Sequence, residues 1–312
     1  MDRLQSMRVF QRVIDEGGFA AAARAMDMSP AGVTRLVGDL EQHLGVRLIQ
    51  RSTRRLALTE AGEAYLQRVR SILHEVEDAE AAATASTREL QGTLRILATQ
   101  VLATYFLAPS VACWRERYPK VGLELAVDPF PLTRVDEFDV IFMAVENGFD
   151  ASVVARPLVS TESIVCASPA YVQRAGMPLE PDDLQRHDYL KFPWREGSGQ
   201  GLRHLRLKPL EEGGAAVEVD MPVVLQSASF DVIFRAALDG AGVAMLPRQL
   251  VAPQLSSGAL VHLLPEWILG RYTTYAVLPT RKLIPARTRA FLDFLTETVA
   301  GQSHSGARPR TP

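Results

Sequence analysis

Residues 19–44 constrain this chain more than any other stretch. Phe19-Ala20-Ala21-Ala22-Ala23-Arg24-Ala25-Met26 has the alanine content of a short helix, and Asp27-Met28 breaks it. Ser29-Pro30 then opens a second helix. A serine hydroxyl at the N-cap accepts from an otherwise orphan backbone N–H, and proline at the first helical position has no N–H to waste. Val33, Leu36, Val37, Leu40 and Leu44 recur at helical spacing and form one apolar stripe. The opposite face carries Ala31, Thr34, Arg35 and Gly38. Two short helices, a tight turn and a polar outward face on the second describe a helix-turn-helix whose second helix lies in a DNA major groove.

The flanks extend that reading. Leu4, Met7, Phe10 and Val13/Ile14 predict a preceding helix closed by Gly17-Gly18. Between residues 46 and 58, Arg47-Leu48-Ile49-Gln50-Arg51 and Arg55-Leu56-Ala57-Leu58 alternate like two short strands, the pattern of a wing. Thr59 is placed to cap a long helix over about 60–89, roughly 45 Å at 1.5 Å per residue. Its apolar positions Leu66, Val69, Leu73, Val76 and Ala83 step by three and four, which predicts a coiled-coil-like dimer seam. A single helix packed against its own domain is the competing reading.

A net charge of −2 over 312 residues does not argue against nucleic acid, because it averages unlike regions. Residues 1–60 hold nine arginines against seven acids, and Arg47, Arg51, Arg54 and Arg55 follow directly on the second helix. Phosphate contact needs a local basic surface, not a basic chain. The 47% hydrophobic and 22% charged content is ordinary for globular proteins. No apolar run approaches the ~20 residues of a membrane helix. The opening Met1-Asp2-Arg3-Leu4 has no apolar signal core, so a cytoplasmic location is expected.

Beyond Gln91-Gly92 the pattern changes to strands alternating with helices. Strands are predicted near 93–98, 122–128, 140–145, 163–167, 223–226, 243–246 and 273–278, with helices near 104–117, 169–175, 229–239 and 286–299. Such alternation implies α/β units with largely parallel sheets. The last strand and helix suggest that the chain returns to its first subdomain. Residues 301–312 lack an apolar pattern and are expected to be a disordered tail.

Residues 1–80 resemble the N-terminal region of LysR-type transcriptional regulators. The resemblance is carried by Leu4-Gln5-Ser6-Met7-Arg8-Val9-Phe10, by Gly18-Phe19-Ala20-Ala21-Ala22-Ala23-Arg24, by 40–48 (Leu40-Glu41-Gln42-His43-Leu44-Gly45-Val46-Arg47-Leu48) and by 51–62, which ends Thr59-Glu60-Ala61-Gly62. A weaker resemblance continues to about residue 299 through Cys166-Ala167-Ser168-Pro169-Ala170-Tyr171, Gly240-Ala241-Gly242-Val243-Ala244-Met245-Leu246-Pro247 and Arg289-Ala290-Phe291-Leu292-Asp293-Phe294-Leu295. It implies α/β architecture with an N-terminal all-α winged helix-turn-helix, a long linker helix and a two-lobed, periplasmic-binding-protein-like regulatory domain. The expected divisions are 1–59 for DNA binding, 60–90 for the linker and dimerisation helix, and 91–300 for the regulatory domain. Lobe I would comprise about 92–160 and 267–300, and lobe II about 161–266.

The candidate DNA contacts are Ser29, Pro30, Ala31, Thr34 and Arg35, with Arg51, Thr53 and Arg54 in the wing. Arginine pairs bidentately with guanine, threonine touches a thymine methyl or a base edge, and wing arginines suit phosphate or minor groove. Gly32 stands where relatives often carry a larger residue, either to allow close approach to DNA or as a tolerated change.

The resemblance also implies a small-molecule effector between the lobes, where the first strand meets a helix N-terminus. Thr99 and Gln100 occupy that point and form a plausible carboxylate seat; Thr99 as an ordinary helix cap is the alternative. Gln226, Ser227 and Ser229 hold the matching place in lobe II, and Phe130, Phe142 and Met143 are expected to supply apolar wall. Many relatives carry arginine where this chain has Met143, which counts against a doubly charged anion.

The remaining chemistry is sparse. Cys113 and Cys166 read as buried thiols in different lobes, without the character of a redox switch. Neither histidine spacing nor any Cys-x-x-Cys suggests a metal, and no cofactor is expected. Gly197-Ser198-Gly199-Gln200-Gly201 imitates a nucleophile elbow but lacks the strand and helix that make one. Expected partners are double-stranded DNA with inverted half-sites, a small-molecule effector, and a second copy in a homodimer that the resemblance extends to a homotetramer. RNA polymerase is a further candidate. The rival reading is a solute-binding or catalytic α/β protein with an oligomerising helical N-terminus.

Overall fold

A computed structural model describes residues 2–50, 56–84, 90–146, 154–192, 204–211, 213–279 and 284–305. It divides into two compact units, residues 1–90 and 91–312.

In the first unit, α1 (Arg3–Asp15), α2 (Phe19–Ala25) and α3 (Pro30–Leu44) precede a two-stranded wing, β1 (Ile49–Gln50) and β2 (Ala57–Leu58), and then α4 (Glu60–Thr84). Val9, Phe10 and Val13 of α1, Ala22 and Ala23 of α2, and Val33, Val37 and Leu40 of α3 share one core. Leu36 and Leu44 pack at its margin, so the apolar stripe of α3 faces inward as its spacing predicts. β1 and β2 pair antiparallel, Ile49 opposite Leu58. Thr59 caps α4, its hydroxyl accepting from Gly62 N–H at 2.9 Å while donating to Arg47 O at 2.7 Å.

The dimer seam requires correction. Leu66, Val69 and Leu73 are buried in their own unit's core, against the residues of α1. Tyr65 meets Phe10 at 6.0 Å between ring centroids, and Arg70 pairs with Asp15. Period alone finds an apolar face but does not say which neighbour covers it, and here α1 does. Val76 is half-buried, and the side chain of Ala83 lies outside the described residues. The exposed side of α4 carries Ile72 and Ala79.

The second unit is α/β. Its elements are β3 (Gly92–Ala98), α5 (Gln100–Leu102), a π-helical segment Ala103–Leu107, a 3-10 turn Ala108–Ser110, α6 (Val111–Arg117), β4 (Val121–Val127), a 3-10 segment Pro131–Glu137, β5 (Val140–Glu146) and β6 (Val154–Ala167). There follow α7 (Pro169–Ala175), a 3-10 segment Pro181–Arg186, β7 (Tyr189–Lys191), β8 (His204–Pro209), β9 (Val217–Asp220), β10 (Val223–Gln226), α8 (Phe230–Leu238), β11 (Val243–Pro247), α9 (Arg248–Ser256), β12 (Val261–Leu278) and α10 (Ala286–Ser305).

The main path of the sheet runs β10-β7-β11-β6-β12-β5-β3-β4. It is mixed rather than largely parallel. β3 is parallel to β4 and β5, and β7 to β10 and β11, but β6 and β12 pair antiparallel with each other and with β11 and β5. These two long strands cross between the lobes, and their reversed direction breaks the parallel pattern. In β6, Val165 and Ala167 enter one core while Ile164 and Cys166 enter the other, the period-two alternation of a strand covered on both faces.

Two boundaries shift. Trp267 and Ile268 pair with β8, and Trp267 and Leu269 pack on the lobe II core. The lobe I share of β12 therefore begins beyond 267, where Tyr272–Val277 pair with β5. Helix α10 continues to Ser305, five residues into the expected tail.

Candidate functional site

On α3, Ser29, Pro30, Ala31, Thr34 and Arg35 are all exposed, opposite the buried stripe. Ser29 Oγ accepts from Gly32 N–H at 3.1 Å and Pro30 begins the helix. The Thr34 hydroxyl donates to Pro30 O at 2.9 Å. A base-edge contact by that hydroxyl must break this bond; a methyl contact need not. A Cβ on Gly32 would lie 3.1 Å from Ser29 Oγ, so the glycine leaves room for the cap. Arg51, Thr53 and Arg54 lie outside the described residues.

The base of the wing is held from α3 itself by a residue the apolar pattern passes over. Glu41 is nearly buried, and its Oε1 accepts from Leu48 N–H at 2.8 Å and Ile49 N–H at 3.1 Å. Its Oε2 accepts from Arg47 Nη1 at 3.1 Å. A buried carboxylate with two backbone donors and an arginine is a satisfied charge, and it ties the recognition helix to β1. A lone acid interrupting an apolar stripe is the sequence signal that marks it.

In the regulatory unit, Thr99 ends β3 and caps α5. Its N–H donates to Phe142 O at 3.3 Å, its carbonyl accepts from Ala103 N–H at 2.9 Å, and its hydroxyl makes no cap bond. Thr99 is thus not an ordinary side-chain cap. Gln100 is exposed, its Nε2 donating to Thr104 Oγ1 at 3.0 Å. Phe130, 53% exposed, stands on the loop after β4, where Asp128 Oδ1 accepts its N–H at 2.8 Å.

Phe142 is not cleft wall. It is fully buried, its ring 6.3 Å from Phe106 and 6.2 Å from Phe291. Its contribution to Thr99 is the backbone carbonyl. Met143 is half-buried and packs on the cluster of Leu97, Phe138, Ile141 and Val277.

In lobe II, Gln226 ends β10 and is exposed; Ser227 Oγ accepts from Ser229 N–H at 3.1 Å, and Ser229 caps α8 without a side-chain bond. The lobe I and lobe II sets approach each other through their helices. Val101 and Tyr105, just after Thr99, pack on the core that contains Phe230, and Tyr105 Oη donates to Asp231 Oδ1 at 2.5 Å. Thr99 and Gln100 thus follow the carboxyl end of β3 and Ser229 that of β10, both paired in parallel, the kind of position where open α/β sheets bind ligands.

Cys166 is buried, its thiol pushed up to about 12 by desolvation. Cys113, expected to be buried, is exposed: on α6 it is the neighbouring Trp114 that turns inward, onto Phe291 and Phe294. The Gly197–Gly201 run lies outside the described residues. Among the described residues no group of three His, Cys, Asp or Glu side chains is arranged to hold a metal, and no helix is long and apolar enough to cross a membrane.

A helix-turn-helix unit followed by a two-lobed α/β unit defines a ligand-responsive class of DNA-binding regulator. The model of the bacterial regulatory helix-turn-helix protein, lysR family, matches residues 4–63, and that of the LysR substrate binding domain matches residues 87–300. The chain belongs to the LysR family of transcriptional regulators. It is 31% identical to the HTH-type transcriptional activator AaeR of Escherichia coli strain K12, over 95% of this chain and 94% of that protein. It is 30% identical to an HTH-type transcriptional repressor of Pseudomonas aeruginosa strain UCBPP-PA14, over 96% and 93%. The solved structure of CrgA, a LysR-type regulator from Neisseria meningitidis, is similar with a TM-score of 0.58 and 29% identity, covering 95% of this chain and 98% of that one.

Proposed function

We propose that this LysR-type regulator reads DNA through Thr34 and Arg35 and responds to a small carboxylate with an apolar body. Ser29, Pro30 and Ala31 lie at the phosphate backbone, where helix N–H groups and dipole favour an anion. Arg51, Thr53 and Arg54 supply the wing contacts. The observation that carries the DNA reading is the exposure of all five α3 residues opposite a buried stripe. Arg35→Ala is expected to cost about 1–3 kcal/mol of specific binding and to relax preference at one base position. Selection from a random duplex library followed by footprinting checks this; an unchanged preferred sequence removes Arg35 from base reading.

The effector reading rests on the hydroxyls of Thr99 and Ser229, neither spent on its own helix cap, beside exposed Phe130. We expect a matching acid at 100 times its Kd to stabilise the full chain by about 2.7 kcal/mol. Thermal melts against aromatic and aliphatic acids and their neutral analogues test it. A shift lost in Thr99→Val supports the seat; shifts with neutral compounds alone retire it.

Two copies reading inverted half-sites follow from the geometry of helix-turn-helix dimers. Since Leu66, Val69 and Leu73 are covered within the unit, we assign the pairing face of α4 to the side of Ile72 and Ala79. The edge strands β4 and β10 expose Leu125, Val127 and Val224, apolar edges that a further copy can cover in a tetramer. RNA polymerase is the partner through which an activating output would pass. Relatives of similar identity include both an activator and a repressor.

A further inference from the structure

The helical run after Thr99 changes its winding within two turns. α5 gives way to a π-helical segment at Ala103–Leu107 and then to a 3-10 turn before α6 resumes. A π segment redirects the side chains that follow, and such segments are frequent at functional positions. Here it carries Tyr105. The tyrosine ring stands edge-on to Phe230 at 5.2 Å and to Phe234 at 6.2 Å, both on α8 of lobe II. Its hydroxyl donates to the Asp231 carboxylate at 2.5 Å. Downstream, the same run is anchored in lobe I, where Trp114 packs on Phe291 at 5.0 Å and Phe294 at 5.4 Å.

One continuous helical run is therefore fastened to lobe I at Trp114 and to lobe II at Tyr105. We propose that the Tyr105–Asp231 bond is an interlobe latch that sets the width of the cleft, and that Tyr105 is a positioning residue for the effector site. Apart from the crossing strands β6 and β12, another polar tie between the lobes among the described residues is Lys208–Glu146 at 2.7 Å, between side chains that are 44% and 34% exposed. The latch bond is charge-assisted; the Asp231 carboxylate is exposed, and the half-buried Tyr105 ring is held at it by edge contacts with Phe230 and Phe234. Burial and the Asp231 carboxylate push the Tyr105 hydroxyl up to about 12, so it remains a donor across the neutral range. Thr99 and Ser229 lie a few residues before the two latch partners, so any change in latch occupancy alters the gap between them. The consequence for ligand affinity rests on the effector reading above; the latch itself does not.

The experiment measures lobe separation in the full chain without ligand. Exposed Cys113 on α6 and Leu179→Cys, at a position 85% exposed in lobe II, carry spin labels, and labelled protein is diluted into unlabelled protein so that only distances within one chain are read. With Tyr105 intact the distance distribution is expected to be single and narrow. Tyr105→Phe keeps the ring and removes the donor; it is expected to raise the population at longer distance about tenfold or more, the loss of one hydrogen bond to a charged group. Asp231→Asn is expected to widen the distribution in the same direction, and the double variant to go no further than Tyr105→Phe alone. Distributions for Tyr105→Phe and Asp231→Asn that superimpose on the parent overturn the latch. Widening without any stabilisation by added acids keeps the latch and retires only the effector reading.

Discussion

His187 and His262 make the regulatory unit sensitive to acid at the level of single residues. Desolvation lowers the pKa of both; for His187 the nearby Asp183 and Asp188 oppose it and Arg186 adds to it, while for His262 Arg248 adds to it. His187 Nδ1 and His262 Nε2 are buried with no hydrogen-bond partner. A histidine whose folded pKa is depressed costs nothing while both states are neutral. As pH falls below the unfolded value of about 6.5, the unfolded chain binds the proton first, and stability declines until the folded form also protonates. The Tm is thus expected to fall as pH drops below about 6.5, and His187→Gln to flatten the fall; an equal slope in both proteins, followed by scanning calorimetry, counts against it. Glu41 illustrates what a residue-level reading can reach. Glu41 stands at helical spacing from Val37 and Leu44, but its three bonds depend on the chain turning back at Gly45, whose φ of +72° suits a glycine C-cap.

At the level of elements, the least tolerant contact is where α4 starts. A Cβ at Gly62 would fall 2.0 Å from Leu48 O, against backbone that leads into the wing. Gly62→Ala is expected to displace β1 or the first turn of α4 and to destabilise the DNA-binding unit by about 1–3 kcal/mol despite the better helix propensity of alanine. Urea unfolding followed by circular dichroism measures this, and an unchanged or raised midpoint contradicts it. Elements with strong local signals were legible: the capped α3, the wing, α7 with Ser168 at its N-cap, and the strands β3, β5 and β11. Those missed lack such signals. β7 has three residues, and α9 contains Pro253, which argues against a helix in sequence yet is accommodated. β12 reads as one short strand because the bulge between Leu263 and Ile268 interrupts its pattern, although it runs for 18 residues.

For the whole molecule, assembly hinges on which face of α4 remains open. Ile72→Glu is expected to shift the protein towards monomer by tenfold or more in dissociation constant while leaving Tm of the isolated chain little changed. Leu73→Glu is instead expected to unfold the DNA-binding unit, because Leu73 is 5% exposed in its core. Analytical ultracentrifugation separates the two: dissociation by neither variant, or by Leu73→Glu alone with the fold intact, moves the seam elsewhere. Local codes act within a few residues, so caps, apolar periods and strand alternation determined by themselves the helix-turn-helix, the wing and the α/β character of the larger unit. Only the tertiary structure decided what depends on neighbours distant in the chain. It put α1 over the predicted seam of α4, sealed Phe142 in the lobe I core, and set Tyr105 against Asp231 across 126 residues. Burial is conferred by whatever packs on a surface, and that partner is chosen by the fold as a whole.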